Sequence, residues 1–181
     1  GTLFDANTSL RAFVFPEGIT YMPAYFFRNC SNLSSVGLSS TMTSISAGGF
    51  QNCTSLTEIT LPESVTKLDI MAFRDCASLK TINLDHITQY GNLVFSGCTD
   101  LELDVTLPAD MTVIPSSLFA GCASIRSVTL PDNLTKIDHD AFNGCSGITE
   151  ISIPESVTVC RDIHIRGRIA RWGKGTFAQN I

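Results

Sequence analysis

Residues 72–84 read AFRDCASLKTINL, and close variants of this stretch recur along the chain. GFQNCTSLTEITL stands at 49–61, LFAGCASIRSVTL at 118–130 and AFNGCSGITEISI at 141–153. The cysteines of the pattern are Cys30, Cys53, Cys76, Cys98, Cys122 and Cys145. They are 22 to 24 residues apart, and a phenylalanine lies three residues before each of them. A period of this length predicts a solenoid, in which each repeat forms one turn of a coil.

Each cysteine is followed by the pattern L-x-x-I-x-L-P, as in Leu56, Ile59, Leu61 and Pro62. An apolar residue, a threonine, a free position and another apolar residue come next, and a copy without the cysteine begins at Leu10. The alternation around Ile59 has the period of a strand with one buried face. One repeat is too short to bury that face alone, so it must stack on its neighbours. The sequence therefore predicts a solenoid with a parallel β-sheet on one face and irregular or short helical turns on the other.

Two repeats depart from the usual 23 residues. The short one lacks a residue between Leu84 and Ile87, where neighbouring repeats carry Pro-Glu-Ser. The long one reads LELDV at 101–105, with one residue too many before its central apolar position. An extra residue at that point predicts a β-bulge.

The repeated cysteines predict small, buried groups that fill one slot in every turn. Two alternatives remain open. A disulfide ladder needs Cβ atoms about 3.5–4.5 Å apart, slightly closer than stacked strands at roughly 4.8 Å provide. Metal binding favours C-x-x-C or closely spaced Cys and His pairs, which the sequence lacks. Cys160 differs from the other six, because it takes an apolar position after Val157-Thr158.

Composition narrows the class of protein. The chain has 181 residues, 44% of them hydrophobic, and a formal net charge of −5. These values are typical of a folded domain and argue against nucleic-acid binding. No apolar run approaches the roughly 18 residues of a membrane span, so we expect no membrane insertion.

Charge divides the chain into two parts. Residues 1–160 hold seven basic and sixteen acidic residues, whereas residues 161–181 hold five basic and one acidic. We therefore expect a solenoid of about seven repeats at 1–160 and a divergent basic segment at 161–181. Because solenoid ends need covering, apolar residues such as Ile163 and Trp172 are expected to make this segment an end cap. A basic docking patch is the alternative.

The pattern A-F-x-x-C-x-S-L-x-x-I-x-L-P-x-x-V-T-x-I resembles the BspA-like subclass of leucine-rich repeats. Residues 53–76 and 122–145 match it nearly throughout, and the resemblance covers about residues 8–160. It implies a leucine-rich-repeat solenoid. Such proteins are typically surface-exposed or secreted products of bacteria on mucosal surfaces and of some protozoan parasites. Characterised members resemble adhesins that bind host matrix proteins or other cells. The motif supplies only the scaffold, so no family site residue carries over, and we expect no cofactor.

The strand pattern predicts where a ligand would bind. Side chains that flank the central apolar residue of each strand point away from the core, and we call this surface the open face. It is rich in hydroxyl groups, with intermittent acids and little aromatic character. Its candidate ligand-binding residues are Ser35, Glu58, Thr60, Thr81, Asn83, Asp104, Thr106, Ser127, Thr129, Glu150 and Ser152. Short polar groups can hydrogen-bond a protein or glycan ligand, but threonine is also simply a favourable residue on an exposed strand.

No catalytic constellation stands out. His86, His139 and His164 lie in different local contexts, and Asp138-His139-Asp140 falls in a turn where other repeats carry unrelated residues. Neither a G-x-S-x-G elbow nor a glycine-rich phosphate loop is present. We therefore predict a non-enzymatic module of a cell-surface or secreted protein that adheres to host or matrix proteins through the open face. The alternative is a structural spacer within a longer surface protein, without a ligand of its own. An unpaired strand edge at one end leaves a dimer open.

Overall fold

A computed structural model describes residues 3–161, 170–172 and 175–176 of the protein. The chain winds into a parallel β-solenoid of about six turns, with about 23 residues in each turn. The fold class predicted from the repeat is therefore confirmed. Helices are absent from the described residues, so nothing in that part of the chain forms a helix able to cross a membrane.

The first row of strands contains the central apolar residues of the repeats. Neighbouring strands run parallel, with Glu58 beside Thr81 and Asp104 beside Ser127. The row consists of β1 (Ala12–Val14), β2 (Ser35–Gly37), β4 (Glu58–Ile59), β6 (Thr81–Ile82), β8 (Asp104–Thr106), β10 (Ser127–Thr129), β12 (Ile151–Ile153), β14 (Ala170–Trp172) and the antiparallel β15 (Gly175–Thr176). This row contains the strands that the L-x-x-I-x-L pattern predicts, and it divides into four short ladders, β1–β2, β4–β6, β8–β10 and β12–β14–β15.

A second row of strands follows the threonine of each repeat, on the side for which the sequence predicted only turns. It consists of β3 (Ser44–Ile45), β5 (Lys67–Leu68), β7 (Gln89–Tyr90), β9 (Val113–Ile114), β11 (Lys136–Ile137) and β13 (Val159–Cys160). Backbone bonds between threonines join its turns, as where the Thr135 N–H donates to the Thr112 carbonyl oxygen at 2.8 Å. These strands have only two residues each, too few to show a period-two pattern in the sequence.

Phenylalanine rings form a continuous stack through the core. They are Phe27, Phe50, Phe73, Phe95, Phe119 and Phe142, and none has any solvent exposure. Successive ring centroids are 5.2–5.9 Å apart and the ring planes lie within 22° of one another. Because a large apolar ring lies at the same place in each turn, this stack provides much of the buried apolar surface that holds neighbouring turns together.

Each repeated cysteine fills a small slot in which its backbone N–H and its thiol both donate hydrogen bonds to phenylalanine carbonyl oxygens. The carbonyl oxygen of Phe50 accepts a hydrogen bond from the Cys53 N–H at 3.1 Å and another from the Cys76 Sγ at 3.0 Å. The thiol hydrogen bonds of all six repeats measure 2.9–3.2 Å. The prediction of small buried groups is confirmed. All seven cysteines are free thiols, so the disulfide ladder is not formed.

Every full turn contains residues in the left-handed backbone region. One is the residue before the cysteine, where asparagine, aspartate or glycine stands; Asn52 has a φ of 63° and Gly121 a φ of 79°. These residue types tolerate a positive φ at little cost. The other lies two residues before the phenylalanine, where Met71 (57°) and Leu93 (59°) adopt it. The sequence carries no signal for this second position.

The first repeat includes residues before Leu10. The ring of Phe4 stacks on Phe27 at 5.8 Å, and its carbonyl oxygen accepts the Cys30 thiol at 2.9 Å. Asn7 takes the place of the cysteine, and its Oδ1 accepts the N–H groups of Ser9 and Leu10 at 3.0 and 3.1 Å. The cysteine-free copy that the sequence predicts from Leu10 is therefore the second part of a turn that already includes Phe4.

The extra residue of the long repeat forms the predicted bulge. The Glu102 N–H donates to the Lys80 carbonyl oxygen at 3.0 Å, whereas the Arg126 N–H donates to the Leu103 carbonyl oxygen at 3.2 Å. Two consecutive residues thus take one position in the row, which is what defines a β-bulge. Beyond them the strand returns to register at Asp104.

The predicted cap at 161–181 lies mostly outside the described residues, Ile163 among them. The backbone of β14 pairs with β12, with Ile151 beside Ala170 and Ile153 beside Trp172. Strand β15 then pairs back on β14 in the antiparallel sense. The first row therefore continues past residue 161, and the capping role of this segment remains a prediction.

Candidate functional site

The open face is a real surface of the first row. Of the eleven residues predicted to bind a ligand, ten are exposed and Asn83 is half-buried. Pairing in the row sets Glu58 beside Thr81 and Thr106 beside Thr129. Because parallel strands lie about 4.8 Å apart, the face is a long, nearly regular array of short polar side chains.

Asn83, Asp104 and Ser127 on the open face make side-chain hydrogen bonds within the protein itself. Asn83 Oδ1 accepts the Leu61 N–H at 2.7 Å, and its Nδ2 donates to the Leu61 carbonyl oxygen at 2.9 Å. This side chain stands in for a missing backbone partner beside the short repeat, so its role is structural. The Ser127 hydroxyl donates to Asp104 Oδ1 at 2.6 Å. A ligand must break this second bond or accept it as part of the surface.

The other hydroxyls in the middle of the face are available. Among the described residues, the structure records no side-chain partner for Thr60, Thr81, Thr106 or Thr129, nor for the carboxylate of Glu58. These groups are exposed on neighbouring turns and retain their full capacity to donate or accept. They form the part of the face best able to bind an external ligand.

One charged pair borders the face. Arg126 Nη2 lies 3.0 Å from Glu102 Oε2, and both side chains are at least half exposed. Glu102 is one of the two residues of the bulge. Exposed pairs of this kind contribute about 0–1 kcal/mol, so this pair adds little to stability.

Sequence reasoning missed an acidic edge that follows the open face in six of the seven repeats. It lies in the turns between the two rows and comprises Glu17, Glu63, Asp85, Asp110, Asp132 and Glu155, all of them exposed. The segments 16–20, 62–66, 84–88, 108–112, 131–135 and 154–158 contain neither Lys nor Arg. Comparing the one or two residues that follow the Pro of each repeat, or Leu84 in the short repeat, would have revealed this column. Its negative potential favours approach of cationic molecules over anionic ones.

The buried thiols are unsuited to chemistry. Burial raises the pKa of the Cys145 thiol to about 12, and it raises the pKa of Cys76 and Cys98 well above the ordinary value. A thiolate is the reactive form of cysteine, so this column remains protonated near neutral pH. Its hydrogen bonds to phenylalanine carbonyl oxygens hold one turn to the next.

The Asp138-His139-Asp140 motif is arranged as a turn. Asp138 Oδ2 accepts from Lys136 Nζ at 2.8 Å, a hydrogen bond that lowers the pKa of Asp138. Asp138 Oδ1 accepts the backbone N–H of His139 at 3.0 Å, and the His139 ring lies beside Arg161 at 3.2 Å. The Asp138 carboxylate therefore hydrogen-bonds the His139 backbone, as side chains commonly do within a turn.

Metal chemistry has no support in the part of the chain that the structure describes. There, no three His, Cys, Asp or Glu side chains are grouped so that they could hold a metal ion. His164 lies outside the described residues.

The model of the BspA type leucine rich repeat region matches the chain in six copies, over residues 2–120 and 103–167. A search of curated proteins gives no match.

Solved structures share the fold. The leucine-rich repeat protein of T. pallidum superposes with a TM-score of 0.71 at 25% identity, over 80% of this chain and 68% of that one. A leucine-rich cell surface protein from Faecalibacterium prausnitzii gives 0.52 at 22% identity, over 85% and 60% of the two chains. The pneumococcal vaccine antigen PcpA gives 0.60 at 20%, over 84% and 47%. The chain thus spans less than two thirds of the latter two proteins.

Proposed function

Since the chain belongs to the BspA type leucine-rich-repeat family, we propose that it is a non-enzymatic interaction module of a cell-surface or secreted protein. Its ligand is a host or matrix protein, or a glycan carried by one, bound across the open face. One structural neighbour is named a cell surface protein and another a vaccine antigen, which supports a surface location.

The observation that carries this proposal is the set of unpartnered polar groups on consecutive turns. Glu58, Thr60 and Thr81 are exposed on two neighbouring strands, and Thr106 and Thr129 are exposed on the next pair. A rigid row of strands fixes these groups at regular spacing before any ligand arrives. Pre-organisation of this kind reduces the entropy that binding must overcome.

The interior of the molecule favours a scaffold over an enzyme. Its repeated titratable side chains are buried thiols held protonated, and its Asp-His-Asp motif is a hydrogen-bonded turn. An extended array of hydroxyls contains no converging acid and base of the kind that general acid–base catalysis needs. These features support recognition rather than catalysis as the role of this surface.

The test is binding of the chain to immobilised matrix proteins and to a glycan array. A variant carrying Glu58→Lys, Asp104→Lys and Glu150→Lys reverses three charges on the open face. A matched control carrying Glu63→Lys, Asp132→Lys and Glu155→Lys makes the same change of net charge on the acidic edge. Both variants must first show the circular dichroism of the unmodified chain.

Saturable binding that the open-face variant loses and the acidic-edge control keeps would support the proposal. Loss in the control alone would move the site to the acidic edge. Absence of binding across the panel would contradict adhesion to those ligands and favour a structural spacer.

A further inference from the structure

Carboxylates recur on every second turn of the open face. The residue just before the central apolar position is acidic in the turns of β4, β8 and β12, and it carries a hydroxyl group in β6 and β10, which lie between them. In chain order these residues are Glu58, Thr81, Asp104, Ser127 and Glu150, all of them exposed. The acidic edge differs, since it has an acid on every turn from Glu63 to Glu155. Negative charge on the open face therefore has a period of two turns.

The spacing of these carboxylates follows from the row of strands. Glu58 pairs with Thr81 in one ladder and Asp104 with Ser127 in the next, and the bond from the Glu102 N–H to the Lys80 carbonyl oxygen joins the two ladders. Because neighbouring strands lie roughly 4.8 Å apart, the backbones of Glu58 and Asp104 are about 9.6 Å apart. A ligand that meets both must repeat at nearly this distance.

Three regular polypeptide conformations can be compared with this distance. A polyproline II helix has three residues per turn and rises about 3.1 Å per residue, so every third side chain returns to the same face after about 9.3 Å. Side chains on one face of a β-strand recur after about 6.8 Å. Those on one face of an α-helix recur after two turns, or about 10.5 Å. The polyproline II spacing agrees best with two turns of the solenoid.

Both carboxylates have capacity for an external cation. Among the described residues no side-chain partner of Glu58 is recorded, and Asp104 Oδ1 accepts the Ser127 hydroxyl at 2.6 Å, which leaves its other acceptor positions open. From β1 to β12, the residues just before and just after each central apolar position include no Lys or Arg. Beyond β12, strand β14 sets Arg171 beside Ser152. Glu58 and Asp104, remote from that basic end, therefore define the site.

Threonine hydroxyls repeat with the same period as the carboxylates. Thr60 follows Glu58 by two residues and Thr106 follows Asp104 by two residues, and both are exposed. In the part of the chain that the structure describes, neither hydroxyl has a recorded partner. A polyproline II segment has no internal hydrogen bonds, so its carbonyl oxygens are free to accept. An α-helix already uses its backbone groups internally. The hydroxyls therefore also favour the polyproline II form.

Bases at the border of the face indicate how the charges of a ligand must be spaced. Lys80 precedes Thr81 and Arg126 precedes Ser127, so both bases stand on the turns between the carboxylates. Arg126 is paired with Glu102, whereas Lys80 repels a base that lies above its own turn. A segment with separated bases is therefore favoured over a continuous basic run.

We propose that the open face binds a polypeptide segment in the polyproline II conformation that has Lys or Arg at every third residue. This inference rests on the proposed function and specifies its ligand. The segment lies across the strands, along the length of the solenoid. Its bases contact Glu58 and Asp104, its carbonyl oxygens accept from Thr60 and Thr106, and its uncharged residues lie above Thr81.

The test is fluorescence anisotropy of labelled peptides titrated with the full chain. The first peptide consists of four Lys-Pro-Pro units. Its isomer has the same four lysines and eight prolines, but with lysine at every second residue. The first peptide should bind about tenfold more tightly than its isomer, which corresponds to two matched ion pairs. Four Lys-Gly-Gly units keep the spacing but lose the stiff conformation, so they too should bind more weakly than the first peptide.

Two matched variants locate the binding. Glu58→Gln combined with Asp104→Asn removes two charges from the open face with little change of shape, and it should abolish the tenfold preference. Glu63→Gln combined with Asp132→Asn removes two charges from the acidic edge and should preserve that preference. Circular dichroism and a thermal unfolding curve of each variant distinguish loss of the site from loss of the fold.

Equal affinity for the two isomers overturns the proposal, since charge alone would then account for binding. So does a preference that both variants lose equally. If no peptide binds while a matrix protein or glycan does, and the Glu58→Lys, Asp104→Lys, Glu150→Lys variant loses that ligand, the inference is wrong and the proposed function stands. If no peptide, matrix protein or glycan binds at the open face, both are wrong.

Discussion

The Sγ of Cys76 donates a hydrogen bond to the carbonyl oxygen of Phe50, 3.0 Å away in the preceding turn. The same oxygen accepts the N–H of Cys53 at 3.1 Å, so both of its lone pairs are used. Serine or threonine would add a stronger polar group to the core, and alanine would offer no donor. Cysteine recurs because it is small, tolerates burial and still satisfies a carbonyl oxygen of the neighbouring turn.

Removing that thiol should weaken the stack. Cys76→Ala deletes the donor and leaves a small void in a fully buried slot, so we expect a loss of about 1–3 kcal/mol in the free energy of unfolding. Urea denaturation measures it. Cys160→Ala is the control, because Cys160 is half-buried and outside the column. An equal loss in both variants would show that the thiol hydrogen bond contributes nothing.

Truncating a phenylalanine of the stack should lower the free energy of unfolding more where the ring is fully buried than where it is partly exposed. Phe73 lies between Phe50 and Phe95 with ring centroids 5.2 and 5.8 Å away, and Phe73→Ala should cost about 3–5 kcal/mol. Phe4→Ala should cost clearly less, since this ring is partly exposed and contacts the stack from one side. Thermal and urea unfolding of the two variants would give the comparison. The reverse order would be incompatible with a core built from equivalent inner turns.

The left-handed backbone of the residue before the cysteine predicts which substitutions that position tolerates without loss of stability. Gly121 has a φ of 79°, and an added Cβ there would meet the backbone of Gly97 only at 3.6 Å, an ordinary contact. Backbone conformation therefore decides the outcome. Gly121→Val should lose about 1–2 kcal/mol, and Gly121→Asn much less, since Asn52 takes the same conformation in its own turn. Equal stability of the two variants, compared by urea unfolding, would mean that this turn is not left-handed.

Alkaline pH should destabilise the protein through its buried thiols. The pKa of the Cys145 thiol is raised by burial to about 12, against about 8.5 in an unfolded chain. The stability that this thiol contributes is fully present below the unfolded pKa and is lost as the pH rises toward the folded value. Each such thiol adds a fall of about 1.4 kcal/mol per pH unit in that window.

The measurement is urea unfolding between about pH 7 and pH 10, the window that the unfolded pKa defines. With Cys145→Ala, the free energy of unfolding should fall less steeply with rising pH, by about 1.4 kcal/mol per pH unit, the contribution of one proton. Tyrosines and lysines contribute equally to both proteins. Identical slopes for the two proteins would show that this thiol does not remain protonated in the folded state.

The sequence predicted those parts of the fold in which the same type of residue recurs at the same position of every repeat. The columns of Phe73 and Cys76, the strands centred on residues such as Ile59, and the bulge at Glu102 and Leu103 follow from counting positions. The open face follows as well, because a strand with one buried face must expose the other. Ten of its eleven candidate residues are exposed as expected.

The rest depended on contacts that residue types do not reveal. Asn83 looks like any polar strand residue, yet its amide replaces a backbone partner of Leu61. Met71 and Leu93 adopt a left-handed conformation that neither residue favours, held there by the surrounding turns. The sequence indicates the first copy only from Leu10, because Asn7 stands where the other repeats carry cysteine. The acidic edge went unnoticed because its members shift by one position between repeats.

Hydrogen exchange of the chain, with and without a saturating ligand from the binding panel, tests the central claim most directly. The account predicts slower exchange for amides of the first row, above all in β4, β6, β8 and β10, and unchanged exchange in β5, β7, β9 and β11. Protection confined to the second row or to the acidic edge, with the first row unaffected, would contradict binding at the open face.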